Sequence, residues 1–296
     1  MIMSDVKFTG TGVAIITPFR NDGSIDFKSL GKILEHIIGN NVNFVVVLGT
    51  TGESVTLSKD EKKAVVNFVV ETIAGRIPIV AGIGSNNTQE VINSIKSFDF
   101  NGIDGILSVA PSYNKPSQAG LFEHFKAIAS ACPVPVILYN VPGRTCSNIS
   151  AETTISLAKN VKNIIAVKEA SGNLNQVMHI IKNKPDNFQV LSGDDALTLP
   201  MMSLGAVGAI SVIANVYPAE FSAIVNAALL GDFITAQKHQ YHLLEMMNAL
   251  FEEGNPSGVK AALTIKKMAS NNLRLPLVPV SEKMYKKIEK LGKGLS

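Results

Sequence analysis

The residue with the most chemical content is Lys168, in the run Ile164-Ile-Ala-Val-Lys168-Glu169-Ala-Ser171. The run is otherwise apolar at its start, as a strand covered on both faces would be. A lysine seldom sits in such a strand, because burying an ammonium is costly. Desolvation favours the neutral amine, which is the form that attacks a carbonyl. At an ordinary pKa only about one amine in a few thousand is neutral at pH 7, and a depression of about three units, worth roughly 4 kcal/mol, makes it competent. The bland reading is an ion pair with Glu169. Adjacent strand residues point to opposite faces, so that pairing is poor within the strand.

Other polar residues fall at the ends of neighbouring apolar runs. Gly49-Thr50-Thr51-Gly52-Glu53 is either a tight turn or a loop whose backbone N–H groups hold a carboxylate while its hydroxyls relay a proton. It is not a P-loop, and Gly82-Ile-Gly84 lacks the third glycine of a dinucleotide fingerprint. Tyr139 is either a half-buried core ring or an acid/base. Arg144, in a Pro-Gly turn, is a surface cation or a fork-shaped donor for a carboxylate. Asp194 and Asp195 read as a helix cap and a first-turn acid. His239 and His242, at i, i+3 spacing, read as solvated or core histidines rather than metal ligands, and no other ligand cluster stands out.

These residues need elements to gather them. Apolar runs at 12–19, 43–50, 77–84, 105–111, 135–142, 164–171, 188–194 and 208–215 alternate with amphipathic stretches. Each ends in a loop-forming residue, as a buried strand should. Ser58-Lys-Asp-Glu61 has the form of a capping box, and Asn87, Ser117, Ser150 and the Ser171-Gly-Asn173 segment offer further helix starts. Eight strand–helix units in about 230 residues match a (β/α)₈ TIM barrel, whose active site lies at the C-terminal ends of its strands. A doubly wound open sheet is the alternative, since periodicity does not show closure. After Gly231 the pattern changes to helices at 232–250, 256–270 and 281–291, a C-terminal helical extension. The expected division is a barrel over residues 1–230 and the extension over 231–296.

Composition narrows the class. Of 296 residues, 46% are hydrophobic and 17% charged, against about 25% charged in an average soluble protein. That excess suits strands buried on both faces. The net charge is only +3, with no basic cluster interleaved with aromatics, so nucleic-acid binding has no electrostatic footprint. No run approaches the length of a membrane span and no signal-peptide pattern opens the chain, so a cytoplasmic location is expected. Cys132 and Cys146 offer neither a disulfide framework nor a metal spacing.

Five segments occur in a familiar order: Gly49-Thr-Thr-Gly-Glu-Ser54, Tyr113-Asn-Lys-Pro-Ser-Gln118, Leu138-Tyr-Asn-Val-Pro-Gly-Arg-Thr145, Val167-Lys-Glu-Ala-Ser-Gly172 and Leu191-Ser-Gly-Asp-Asp195. Together they resemble the 4-hydroxy-tetrahydrodipicolinate (dihydrodipicolinate) synthase family, in the pyruvate-dependent class I aldolase group that includes N-acetylneuraminate lyase. The resemblance implies that Lys168 forms a Schiff base with pyruvate and that the resulting enamine attacks aspartate 4-semialdehyde. Tyr139 would donate and accept protons, linked through Thr50 to Tyr113, which in the family reaches into a neighbouring subunit's site. Amides of Thr50 and Thr51 would hold the pyruvate carboxylate, Arg144 the semialdehyde carboxylate, and the Gly193 and Ile210 carbonyls would line the pocket. It further implies no metal or organic cofactor and a homo-oligomer, usually a dimer of dimers.

Family members inhibited by lysine bind it in a dimer-interface cleft, matched here by Ser54, Lys59, Lys62, Asn86, Glu90 and Ser112. Two ammonium groups there would repel a cation and Ser112 removes an aromatic wall, so weak or absent feedback by lysine is expected. Three readings compete with the synthase: a sialic-acid or keto-deoxy-sugar lyase, which Arg144 argues against; a glycoside hydrolase using Glu53 and Glu169; and a non-catalytic binding barrel.

Overall fold

The eight apolar runs pair in chain order, each strand parallel to the next, and the last closes on the first. In this computed structural model, which describes residues 8–295, the strands are β1 (Gly10–Ala14), β2 (Phe44–Val47), β3 (Ile79–Gly82), β4 (Gly105–Val109), β5 (Val136–Asn140), β6 (Ile164–Glu169), β7 (Gln189–Ser192) and β8 (Gly208–Ser211). Closure makes the chain a (β/α)₈ barrel and removes the open-sheet alternative. Residues 1–7 of the expected barrel unit and residue 296 of the extension lie outside the described residues.

Every expected strand runs at least two residues past the observed end. The run 12–19 stops pairing at Ala14, and 208–215 stops at Ser211. The overshoot has a physical cause. Ile15, Ile16, Phe19, Leu48, Val212 and Ile213 follow their strands yet stay buried, because the loops at this end are themselves covered. Apolarity therefore continues after the hydrogen-bond ladder has ended.

The helices are α1 (Phe27–Ile38), α2 (Lys59–Ile73), α3 (Thr88–Ser97), α4 (Gln118–Ala131), the single turn α5 (Pro142–Thr145), α6 (Ala151–Asn160), α7 (Leu174–Asn183), α8 (Thr198–Ser203), α9 (Pro218–Leu229), α10 (Phe233–Glu252), α11 (Ser257–Ile265) and α12 (Glu282–Lys293). The sequence starts are realised. Ser58 and Glu61 form a reciprocal capping box on α2, and Asn87, Ser117, Ser150 and Asn173 each accept amide hydrogen bonds at their helix N-termini. Such caps satisfy N–H groups that have no partner inside the helix.

Side chains alternate along each strand between two apolar regions. Ile137, Tyr139 and Ala166 point into the barrel with Phe44, Val46, Leu191 and Ile210. Val136, Leu138, Ile164 and Val167 point outward against the helices. The pleat thus sends Lys168 inward and Glu169 outward. The two neighbours in sequence cannot pair across the strand.

Candidate active site

A cavity of about 520 Å³ opens at the C-terminal ends of the strands, and Lys168, Tyr139, Thr50, Thr51, Arg144 and Gly193 all line it. Lys168 and Tyr139 are register partners on β6 and β5. Their side chains stand beside each other, with Lys168 Nζ 4.5 Å from the centre of the Tyr139 ring. Lys168 is 5% exposed, and among the described residues its amine forms no hydrogen bond or ion pair. Burial pushes its pKa down to about 8; the Asp195 carboxylate acts the other way and the Arg144 guanidinium adds to the fall. A cation without a hydrogen-bonded partner has little to offset its lost hydration, so the neutral form is favoured.

Space for this amine comes from Gly193. A Cβ at that position would lie 3.0 Å from Lys168 Cε and 2.7 Å from Ala170 Cβ, so any side chain there would press on the lysine stem. Burial also raises the Tyr139 phenol above its ordinary value, with Arg144 and the Thr50 hydroxyl pulling against it. Tyr139 therefore stays protonated and can give a proton.

The loop after β2 is held by its own turns and by the barrel. Gly52 and Glu53 amides donate to the Gly49 and Thr50 carbonyls at 3.1 Å, and the Thr17 hydroxyl donates to the Gly52 carbonyl at 2.7 Å. Among the described residues, the amides of Thr50 and Thr51 donate to no protein acceptor. Two consecutive free N–H groups beside an amine are suited to a carboxylate. Arg144, on α5, is the cation at the mouth, and its Nη2 donates to the Asn255 carbonyl at 3.4 Å.

Asp194 accepts the Ala196 and Leu197 amides at 3.0 and 3.3 Å, closing a turn ahead of α8 rather than serving as the expected helix cap, since the N-cap of α8 is Leu197. Asp195 does something else. It is buried, takes the Val212 and Ile213 amides at 3.0 and 2.8 Å, and so ties the β7 and β8 loops together. Burial lifts its pKa to about 6, against those amides and the Ser211 hydroxyl.

Other expected residues lie elsewhere. Tyr113 is 88% exposed with φ of 74° and does not line the cavity of its own chain. Ile210 is also absent from the cavity wall; as an apolar inward-facing residue of β8 it fills the barrel interior. Ser54, Lys59, Lys62, Asn86, Glu90 and Ser112 sit outside the cavity on successive loops and helix starts. Asn86 Nδ2 donates to the Ser112 carbonyl at 3.2 Å, and the Ser85 hydroxyl to Glu90 at 2.8 Å.

The hydrolase alternative fails on geometry. Glu53 pairs with Lys260 in full burial, and Glu169 accepts from Asn140, Ser171 and Gln176. Neither carboxylate lines the cavity. Sequence reasoning missed the wall supplied by the extension: Met247, Asn248, Phe251 and Glu252 of α10, and Asn255 after it. Helical periodicity shows that these residues form an element, not what the element covers. Lys260, a lone lysine among apolar residues of α11, gave no comparable signal, because a helix is expected to keep one side in water.

A profile of the Dihydrodipicolinate synthetase family matches residues 7–294. The chain belongs to that family. It is 50% identical over 294 residues to the 4-hydroxy-tetrahydrodipicolinate synthase of Parabacteroides distasonis, covering 99% of each chain. The crystal structure of dihydrodipicolinate synthase from Aquifex aeolicus superposes with a TM-score of 0.94 at 43% identity, over 97% of this chain and 98% of that one. The Acinetobacter baumannii dihydrodipicolinate synthase, crystallised with pyruvate, gives a TM-score of 0.94 at 40% identity, over 97% and 99%. Family membership and the cavity's amine lead to the same class of chemistry.

Proposed function

We propose that the chain condenses pyruvate with L-aspartate 4-semialdehyde through an imine on Lys168, giving 4-hydroxy-tetrahydrodipicolinate and water. The observation that carries the reading is a buried amine, without a hydrogen-bonded or ion-pair partner among the described residues, against the Tyr139 ring in a member of this family. Neutral Lys168 adds to the pyruvate ketone, and the carbonyl oxygen leaves as water with protons delivered by Tyr139. Loss of a proton from the methyl carbon gives the enamine. That carbon attacks the aldehyde of the semialdehyde, whose oxygen takes a proton to become the 4-hydroxyl. The substrate's own amine then attacks the imine carbon, closing the ring and returning Lys168 as the leaving amine. No net oxidation occurs.

The free amides of Thr50 and Thr51 are suited to the pyruvate carboxylate, and Arg144 to the carboxylate of the second substrate. Tyr113 lies too exposed to serve its own cavity. In this reading it completes the proton path in a second copy, so the working unit is at least a dimer. A bulky residue held at positive φ is strained, and strain of this kind gathers at functional positions. A biosynthetic role in the cytoplasm follows from the reaction, and no helix among the described residues is long and apolar enough to cross a membrane. Product formation from pyruvate and semialdehyde, without cleavage of N-acetylneuraminate, is the expected result. Lyase activity on the sugar acid with no turnover of semialdehyde would contradict the proposal.

A further inference from the structure

Asn255 has no part in the reaction as written, yet it touches both groups suited to substrate carboxylates. We infer that Asn255 is a positioning residue, its side-chain amide setting Thr51 and its main-chain carbonyl setting Arg144. The inference rests on the imine reading above. Asn255 is 6% exposed and lines the cavity. Its Nδ2 donates to Thr51 Oγ1 at 2.9 Å between two buried side chains, and its carbonyl accepts from Arg144 Nη2 at 3.4 Å. Thr51 is thereby fixed in the loop that carries the free Thr50 and Thr51 amides.

Two rungs join the same pair of segments. Asn255 bonds to Thr51, and Lys260, in the helix that follows, bonds to Glu53 on the same loop. The extension thus grips the carboxylate loop at two points. A third observation separates this asparagine from ordinary packing. Its Oδ1 is sealed from solvent and, among the described residues, accepts no hydrogen bond. An unsatisfied buried acceptor is destabilising, and residues that break this rule concentrate where function sets the geometry.

The test uses Asn255→Ala and Thr51→Val, singly and together, in the full chain. Asn255→Ala is expected to raise KM for pyruvate about tenfold and to change kcat less than about threefold, since a lost positioning bond weakens binding of the carboxylate. At saturating pyruvate the borohydride-trapped adduct should still form completely. The semialdehyde KM should rise less, because the carbonyl that Arg144 uses remains. Thr51→Val breaks the same bond from the other side while keeping its amide, so it should give a similar rise. The double variant should be no worse than the worse single variant. An unchanged pyruvate KM in either variant, a fall in kcat at constant KM, or single effects that multiply would overturn the inference. If Asn255→Ala does not fold, Thr51→Val alone decides. Absence of any adduct in the unsubstituted protein would strike the imine reading instead.

Discussion

Two charged groups bear on Lys168 in opposite directions: Asp195 holds its proton on and Arg144 drives it off, with burial larger than either. The folded pKa is about 8, below an unfolded value near 10.4. The folded state therefore binds fewer protons between those values, and this group's contribution to stability improves as pH rises from about 8 to about 10.4. At pH 7 the buried amine costs roughly 3 kcal/mol. Lys168→Met should abolish turnover and raise the melting temperature at pH 7, read by calorimetry; an unchanged or lower melting point would refute the buried-cation account. Adduct formation in the native protein should climb with pH on a limb centred near 8. Gly193→Ala, which places a Cβ 3.0 Å from Lys168 Cε, should slow adduct formation at least about tenfold through a displaced amine; a rate like that of the unsubstituted protein would show the lysine stem can give way. Lys168 was legible because a strand covered on both faces has no reason to hold a cation. Lys260 was not, because a helix is expected to have a wet side, and its partner Glu53 is distant in sequence.

Among the elements, the strand ladders and the helix caps follow local rules, so their order and their starts could be read from the chain. Strand ends could not, because burial at the barrel mouth extends the apolar signal into loops such as 15–19. The placement of α10 and α11 was equally hidden, since docking depends on pairs such as Lys260–Glu53 and Arg274–Glu61 that bring far segments together. Lys260 is fully buried, and burial brings its pKa down to about 8 against the pull of Glu53. Removing one member of a buried pair leaves an uncompensated charge. Glu53→Gln or Lys260→Met alone should therefore cost about 3–5 kcal/mol in denaturant unfolding, and the double substitution should recover much of the loss. Strictly additive losses would mean the pair is not coupled.

Across the whole molecule, barrel and extension share one cavity, so the extension belongs to the site as well as to the fold. The sequence pointed to the barrel through its eight-fold alternation and to Thr50, Tyr139 and Arg144 through their places at strand ends. It could not reveal the wall from α10, and only the family resemblance, not the spacing, placed Tyr113 outside its own cavity. Lys59 and Lys62 stand at the start of α2, and Ser112 presents no ring. Two ammonium groups disfavour a third, so lysine should leave steady-state turnover nearly unchanged at millimolar concentration. Half-inhibition below a millimolar would contradict this.

The most direct measurement of the central claim is borohydride reduction in the presence of pyruvate, followed by mass analysis of the intact protein and its peptides. A Schiff base on Lys168 predicts one reduced pyruvyl group per chain, confined to the peptide containing Lys168 and absent in Lys168→Met. No added mass, or the same adduct persisting in Lys168→Met, would contradict it.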